Sequence, residues 1–156
     1  DGLRLPLVYN TGGYDCIHTL ELLDGIVDIY MPDFKFAEDD TGKALAKVPG
    51  YYTTATEAIK EMYRQVGDLK TDDRGIAYRG LMLRHLVMPG RLSETQKIVD
   101  FITSELSTNT YVNIMGQYRP AHLAHHHPDI NRPLSISEYD LALDIAKRSG
   151  LRRLAR

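Results

Sequence analysis

Residues 25–35 read GIVDIYMPDFK, and this stretch decides the fold that we expect for the whole chain. Residues 25–31 are mostly apolar, which is typical of a strand buried in a parallel sheet. The run then ends in two opposite charges, Asp33 and Lys35. Ligands bind beyond the carboxyl ends of the strands in such sheets, so the stretch predicts a strand that ends at a binding site.

The spacing of the two charges is informative because the side chains of an extended segment alternate between faces. Asp33 and Lys35 are two positions apart, so we expect them to face one ligand together. An aspartate can bind a cation or a hydroxyl, and a lysine can bind a carboxylate or phosphate as a point charge. A second interpretation is equally open from this stretch alone: the two side chains form a surface salt bridge at a strand end.

The composition predicts one ordinary globular domain and argues against several classes of protein. The chain has 156 residues, of which 43% are hydrophobic and 26% charged, and its formal net charge is -2. A general nucleic-acid binder would need a basic excess. No apolar run approaches the length of about 20 residues that spans a bilayer, and we expect no signal peptide and a cytoplasmic location. The single cysteine excludes an internal disulfide framework.

The chain begins with Asp1 rather than methionine, and a strand-like run follows within a few residues. We therefore expect the coding sequence to continue upstream of Asp1, because a native start is usually a methionine followed by a loose terminus. An engineered start or a processed product is the alternative.

Strands and helices alternate along the sequence. Besides the opening stretch, apolar β-favouring runs predict strands at residues 5–10, 81–88 and 111–115. Helical spacing of apolar residues predicts helices at residues 16–23, 39–48, 53–66, 93–106 and 135–150. Residues 67–79 are predicted to be a polar segment that contains a turn. The first strand, helix and second strand have the length of one βαβ unit, for which parallel pairing is the default.

We therefore predict an α/β fold with four parallel strands, which form a small open sheet or part of a barrel. A complete (β/α)₈ barrel needs about 250 residues and is excluded by length. Polar or glycine-rich residues follow or end every predicted strand, namely residues 10–13, 33–35, 84–90 and 116–119. Because the carboxyl ends of parallel neighbours converge, this set suits an anionic or zwitterionic small ligand.

Several other polar residues have structural interpretations. His85 lies in an apolar strand and is predicted to be a core histidine with satisfied hydrogen bonds. Cys16 is predicted to pack in the core, because nothing nearby in sequence would lower its pKa. Three tyrosines are predicted to pack, namely Tyr51, Tyr52 and Tyr139. Three arginines near the end of the chain are predicted to form a solvated tail, namely Arg152, Arg153 and Arg156.

A histidine-rich loop is the remaining candidate for chemistry. His122, His125, His126 and His127 crowd one loop near Asp129, and such residues can hold zinc. Consecutive histidines cannot easily all face one ion, however, and the spacing matches no established metal motif. A structural role is therefore favoured for this loop.

Three segments in this order resemble the carboxyl-terminal half of radical S-adenosylmethionine enzymes, most closely the pyruvate formate-lyase activating enzymes and their uncharacterised relatives. They are residues 8–13 (VYNTGG), 31–35 (MPDFK) and 83–90 (LRHLVMPG). Residues 113–120 (NIMGQYRP) and 131–133 (NRP) look like the tail of one such group. The resemblance covers nearly the whole chain, and Met-x-Asp-x-Lys and Arg-x-x-x-x-Pro-Gly are its most specific parts.

The resemblance implies that residues 1–156 form the carboxyl-terminal part of a radical S-adenosylmethionine domain, with four βα units of a partial (β/α)₆ barrel. It also implies a site for S-adenosylmethionine. Asp33, the Met31 carbonyl and the pair Asn10 and Thr11 would help to hold a monovalent cation beside the cofactor carboxylate. The family usually has aspartate at the position of Asn10.

The same resemblance assigns roles to the other strand ends. Lys35 would lie near the cofactor or the substrate, and Arg84 would contact the cofactor. Gln117 or Tyr118 stands where the fourth strand of the family normally ends with a histidine for the cofactor.

The [4Fe-4S] cluster of the family is bound by a Cys-x3-Cys-x2-Cys loop, because such clusters need thiolate ligands. This chain has only Cys16, which is in a different place, so we expect the cluster ligands upstream of Asp1. The intact enzyme would cleave S-adenosylmethionine reductively. The 5′-deoxyadenosyl radical would then take a hydrogen atom from a glycine of a partner glycyl-radical enzyme or from another substrate, and the fragment alone would be inactive.

Two other functions remain open from the sequence. One is a metal-dependent hydrolase that uses the histidine-rich loop from His122 to Asp129. The other is a non-catalytic module that binds a protein partner, because the exposed edges of a partial barrel invite pairing with another chain.

Overall fold

The computed structural model describes residue 2 and residues 4–155, and within them it has an α/β fold with a six-stranded sheet. The strands are β1 (Val8–Thr11), β2 (Ile29–Pro32), β3 (Lys70–Thr71), β4 (Ala77–Leu86), β5 (Tyr111–Met115) and β6 (Arg153–Leu154). The α-helices are α1 (Ile17–Leu22), α2 (Asp39–Ala46), α3 (Tyr51–Val66), α4 (Leu92–Phe101) and α5 (Ile136–Arg148). A π-helical turn at Ile102–Leu106 extends α4, and a 3₁₀ helix occupies His122–His126. None of the helices in this described part of the chain is both long and apolar enough to cross a lipid bilayer.

The sheet grows in one direction as the chain proceeds. Its order is β1-β2-β4-β5-β6 with parallel neighbours throughout, and β3 pairs antiparallel with β4. Right-handed crossovers that always add a strand on the same side leave the connecting helices on one face. The predicted α/β class and the parallel pairing of the four main strands are confirmed, and the arrangement is compatible with part of an α/β barrel.

One face of the sheet forms the core together with the helices. Leu81 and Leu83 of β4 and Val112 and Ile114 of β5 are at most 3% exposed. The helices cover this face with their own buried apolar side chains, namely Ile59, Met62, Ile98, Val99, Ala142 and Ala146. Truncating one such residue, for example Leu83→Ala, would destabilise the fold by about 2–5 kcal/mol.

The opposite face of the sheet is only partly covered. Arg84 of β4 pairs in register with Asn113 of β5, and both residues are half-buried. Asn10 of β1 pairs with Met31 of β2. Asp33, two positions after Met31, forms a bridge with Arg84, so Asn10 lies on the same face of the sheet as Arg84. The side chains that the sequence assigns to a ligand therefore lie on the more open face.

Residues 67–79 contain more structure than the predicted polar segment with a turn. β3 and the start of β4 form a short antiparallel hairpin. The Asp72 carboxylate closes its turn by accepting hydrogen bonds at 2.9 Å from the amides of Arg74 and Ile76. Gly80 permits the close approach of the preceding segment, because a Cβ there would lie 2.4 Å from the Leu69 Cα.

The prediction of a solvated arginine tail is wrong for Arg153, which lies in β6. Its Nη1 donates to the Leu69 carbonyl at 2.6 Å, and its guanidinium lies 5.4 Å from the centre of the Tyr111 ring. A guanidinium stacks on aromatic rings and pairs with carbonyl groups, so an arginine-rich ending can still add a strand. Arg152 is exposed as predicted, and Arg156 lies outside the described residues.

Candidate functional site

Asp33 and Arg84 lie side by side at the carboxyl ends of β2 and β4. Their backbones form a parallel bridge, and the Arg84 Nη2 lies 2.7 Å from the Asp33 Oδ1. The Lys35 Nζ lies 3.1 Å from the Asp33 Oδ2. The Asp33 and Arg84 side chains are only 15% and 24% exposed, so water screens this pair less than it screens a surface pair. The predicted convergence of Asp33 and Lys35 is confirmed, and their salt bridge, the second interpretation of this stretch, is present as well.

Asp33, Lys35 and Arg84 form a charged cluster, and Arg84 also connects this charged cluster to β1. Its Nη2 donates to the Asn10 Oδ1 at 2.8 Å, so this nitrogen contacts two neighbouring strand ends. Its approach to Asp33 is not aligned as a hydrogen bond. Within residues 4–155, the buried Asp33 Oδ1 and Arg84 Nε have no hydrogen-bond partner. Most buried polar atoms are hydrogen-bonded, so these two atoms are suited to a bound ligand.

A cleft of about 420 Å³ opens beside the charged cluster. It is lined by Asp33, Lys35, Arg84, Leu86, Met115, Gln117, Tyr118 and Arg119. Its volume falls in the range of small-molecule sites, about 300–1,000 Å³. The lining contains three cationic side chains and one carboxylate, so the cleft favours a ligand with negative charge, or a zwitterion whose anionic group meets the cations.

Tyr51 packs in the core as predicted, and its hydroxyl also holds the backbone next to the cleft. Its hydroxyl lies 3.0 Å from the carbonyl oxygens of both Gly12 and Asp33 and accepts a hydrogen bond from the Lys35 amide at 3.1 Å. Burial raises the pKa of Tyr51. At Gly13 (φ +83°), a Cβ would lie 2.2 Å from the Asp33 carbonyl oxygen. The loop after β1 therefore packs directly against the end of β2.

His85 contacts the segment that follows β2 from the helix-covered face of the sheet. Its Nδ1 lies 2.8 Å from the Phe34 carbonyl oxygen, and its Nε2 lies 2.9 Å from the Thr95 hydroxyl. A carbonyl can only accept, so Nδ1 carries the proton and Nε2 accepts from Thr95. Burial lowers the pKa of His85 to about 4, which keeps the ring neutral. The prediction of a satisfied core histidine is confirmed.

Glu94 is a third supporting residue, and sequence reasoning missed it. The residue is 3% exposed, and its carboxylate accepts hydrogen bonds from the Ala37 amide at 2.8 Å and the Thr41 hydroxyl at 3.0 Å. The Arg91 Nη1 lies 3.4 Å from the same carboxylate. These contacts tie the segment after Lys35 to the start of α4. A glutamate in the first turn of a helix is common for electrostatic reasons, so the sequence gives no signal of this role.

The other predicted cofactor residues differ in their placement. Gln117 and Tyr118 line the cleft, whereas Thr11 and Met31 are not among its lining residues. The Thr11 hydroxyl donates to the Asp15 carboxylate at 2.7 Å within its own loop. Met31 is half-buried in β2.

A monovalent cation at Asp33 is disfavoured in this arrangement. Both carboxylate oxygens already lie within 3.1 Å of a cationic nitrogen, one from Lys35 and one from Arg84. A further cation would be repelled by these two side chains. An ammonium or hydroxyl group that displaced one of them would be better matched to Asp33.

The histidine-rich loop does not gather into a metal site within the described part of the chain. No group of three or more histidine, cysteine or acidic side chains has an arrangement there that could hold a metal ion. His125 donates from Nδ1 to the His122 carbonyl at 3.1 Å, and its ring lies 4.0 Å from that of His126. Asp129 pairs with Arg91 at 2.7 Å. The hydrolase interpretation therefore lacks a set of ligands in this conformation.

The prediction that Cys16 packs in the core is wrong. Cys16 precedes α1 as its N-cap residue and is exposed. Hydrogen bonds from the backbone amides of Thr19 and His18 lower the pKa of this thiol. The apolar spacing of α1 is satisfied by Leu20 at 0% exposure, and Cys16 lies just outside that pattern.

Comparison with known proteins identifies a similar protein but assigns no activity to this chain. No protein-family model matches the chain. An uncharacterized protein of Methanocaldococcus jannaschii, MJ0674, is 38% identical over 149 residues, which are 95% of this chain and 40% of that protein. The chain thus spans about two fifths of the length of this curated relative. The similarity covers every element that forms the cleft, but the name of the relative carries no function.

Proposed function

We propose that the cleft binds S-adenosylmethionine and that the chain is the carboxyl-terminal part of a radical S-adenosylmethionine enzyme similar to the pyruvate formate-lyase activating enzymes. The observation that carries the proposal is the position of Asp33 between Lys35 and Arg84 at the ends of β2 and β4. These residues belong to the two most specific segments of the resemblance. A sheet that grows in one direction, with one face left open, also suits half of a (β/α)₆ barrel.

The donor set of the cleft fits the polar groups of S-adenosylmethionine. Lys35 and Arg84 can bind the carboxylate of the methionine moiety, and the Arg84 Nε, which has no hydrogen-bond partner among the described residues, supplies an additional donor. Asp33 can accept from the ammonium group or a ribose hydroxyl. Tyr118 offers an aromatic ring, and Gln117 an amide, for the adenine.

The residues present do not fit an iron–sulfur cluster. A [4Fe-4S] cluster needs several thiolate ligands, and Cys16 is the single cysteine of the chain and does not line the cleft. We therefore propose that this chain binds S-adenosylmethionine without cleaving it. Reductive cleavage, and hydrogen abstraction from a glycyl-radical partner or another substrate, would belong to a longer cytoplasmic protein that supplies the cluster.

Binding of S-adenosylmethionine by the purified protein tests the proposal. Isothermal titration calorimetry should give saturable binding with one molecule per chain. Arg84→Gln and Lys35→Gln should each weaken it about tenfold or more, because each removes a charge-assisted hydrogen bond. Arg148→Gln removes the same charge from an exposed position on α5 and should leave the affinity unchanged. Absence of binding, or equal affinity in all of these variants, would reject the site.

Association with a partner chain is a second candidate function, supported by the free edge of β1. Within the described residues β1 pairs only with β2, and Val8 on this edge is 53% exposed. Leu5 and Leu7 just before it are 73% and 43% exposed. Free strand edges with apolar side chains pair readily with other chains. Size-exclusion chromatography coupled to light scattering would detect self-association, and a Val8→Lys variant should abolish it.

A further inference from the structure

A second and larger cavity lies next to the cleft. It has a volume of about 650 Å³ and is bounded by the end of α2 and the 3₁₀ helix His122–His126. Its lining is mostly apolar and includes Phe36, Leu45, Met88, Leu123 and Ile130. Cavities of this size with apolar walls bury most of a small organic ligand.

The polar side chains of this cavity are basic, apart from that of Tyr118. Lys47, Arg119, His122, His126 and His127 line it together with Tyr118 and the apolar side chains, and none of the aspartates and glutamates that the structure describes belongs to the lining. The nearby Asp129 is not part of the lining, and its charge is balanced by Arg91 at 2.7 Å. A mostly apolar cavity whose charged and titratable nitrogen groups are all basic complements a ligand that has an apolar body and a negative charge.

The cavity and the cleft share a wall. Tyr118 and Arg119 line both spaces. The Tyr118 hydroxyl donates to the Ile130 carbonyl at 2.9 Å, which fixes this wall against the far side of the cavity. A ligand in the cavity would therefore lie directly beside a ligand in the cleft.

We propose that this cavity binds a small amphipathic anion, with an apolar body against Phe36, Met88 and Leu123 and an acidic group near Lys47 and Arg119. The further assignment of this molecule as the substrate of the longer protein that would supply the cluster rests on the proposed function. The binding itself does not, because its residues overlap with the cleft only at Tyr118 and Arg119.

Fluorescence with a matched pair of probes tests the binding. 1-Anilinonaphthalene-8-sulfonate has an apolar body and one negative charge, and N-phenyl-1-naphthylamine is the same body without the sulfonate. The anionic probe should bind at one site per chain, at least about tenfold more tightly than the neutral probe. Raising the ionic strength should weaken only the anionic probe. Equal affinities, or the absence of saturable binding, would overturn the proposal.

Variants locate the site. Ala46 is exposed and lines the cavity, so Ala46→Phe should fill the space and abolish binding, whereas Lys43→Phe on the same helix lies outside the lining and should not. Ala121→Phe on the opposite wall is an independent blocking variant in case the first one misfolds. Lys47→Gln should weaken the binding of the anionic probe and leave the binding of the neutral probe unchanged. Unaltered binding in both phenylalanine variants would overturn the assignment.

Competition identifies the class of ligand. Decanoate and decyl phosphate should displace the anionic probe, and decanol should not at equal concentration. The acid that displaces at the lower concentration shows whether the site prefers a carboxylate or a phosphate, and displacement by neither acid would reject a small-molecule anion in favour of a protein partner.

The same measurements separate this proposal from the proposed function. Lys35→Gln should weaken the binding of S-adenosylmethionine and leave the binding of the probe intact. Ala46→Phe should abolish the binding of the probe and leave the binding of S-adenosylmethionine intact. If the unmodified protein binds only one of the two ligands, the proposal for the other ligand fails.

Discussion

The Arg84 Nη2 lies 2.7 Å from the Asp33 Oδ1, and the two residues also form a parallel backbone bridge between the ends of β2 and β4. Removing the Asp33 charge leaves the half-buried Arg84 without its carboxylate partner, whereas removing the Arg84 charge leaves Asp33 paired with Lys35 alone. Asp33→Asn should therefore lower the free energy of unfolding by about 1–3 kcal/mol, because Arg84 and Lys35 then repel each other. A double-mutant cycle with Arg84→Gln in urea unfolding should give a coupling of about 1–2 kcal/mol. Strict additivity would mean that the contact contributes nothing to stability.

His85 should make the protein sensitive to mild acid. Burial lowers its folded-state pKa to about 4, while the unfolded chain has the ordinary value of about 6.5. The unfolded state therefore binds more protons below pH 6.5, and stability is lost as the pH falls from 6.5 towards 4. Between pH 7 and pH 5 the loss should be on the order of 2 kcal/mol. Urea unfolding of His85→Gln at both pH values should show a lower stability at pH 7 but a smaller dependence on pH. An equal dependence in both proteins would argue against a neutral buried ring.

The Tyr51 hydroxyl should be needed for a well-ordered end of β2. Tyr51→Phe leaves the Lys35 amide without its acceptor, which should cost about 1–3 kcal/mol in urea unfolding. The Lys35 amide should also exchange faster with deuterium. Tyr52→Phe is the matched control, because Tyr52 stacks on Phe34 at 5.8 Å and its hydroxyl has no hydrogen bond to any described residue. Similar losses in both variants would mean that the ring, and not the hydroxyl, matters.

Gly13 should tolerate a side chain far less well than Gly25. Both residues have a left-handed φ, +83° and +78°, so Gly13→Ala and Gly25→Ala share the conformational cost of about 1–2 kcal/mol. Only at Gly13 would the added Cβ meet an atom, the Asp33 carbonyl oxygen at 2.2 Å. Gly13→Ala should therefore be the more destabilising by about 1–3 kcal/mol in thermal or urea unfolding and should also weaken S-adenosylmethionine binding. Equal costs would show that the loop moves aside freely.

Cys16 should react with thiol reagents while the protein is folded. It is exposed, and the amides of Thr19 and His18 lower its pKa. Iodoacetamide should modify one thiol per chain without denaturant, and the rate should rise with pH through a midpoint below that of a free thiol, about 8.5. Glutathione under the same conditions is the reference. A requirement for urea would place Cys16 in the interior after all.

The part of the site that could be predicted from the sequence depends on residues at strand ends. Asp33, Lys35 and Arg84 follow or end apolar runs, and parallel pairing brings such positions together without any knowledge of side-chain contacts. The register that places Arg84 beside Asp33, rather than one residue away, is decided by packing across the sheet. It became visible only in the structure.

The supporting residues could not be predicted because their partners are distant in sequence and mostly backbone atoms. Tyr51 contacts carbonyl and amide groups of two other loops, and Glu94 contacts Ala37 and Thr41. A tyrosine next to an apolar helix face looks like any packing residue. The β6 strand escaped prediction for a related reason, since two residues with one arginine carry no periodicity.

The shared wall of Tyr118 and Arg119 has a thermodynamic consequence. If a molecule in one space shifts this wall and changes the affinity of the other space by some factor, the second molecule must change the affinity of the first by the same factor. The two occupants would then regulate each other reciprocally through two side chains, with no movement of the sheet. The sign of that coupling would show whether the two spaces are filled together or in turn.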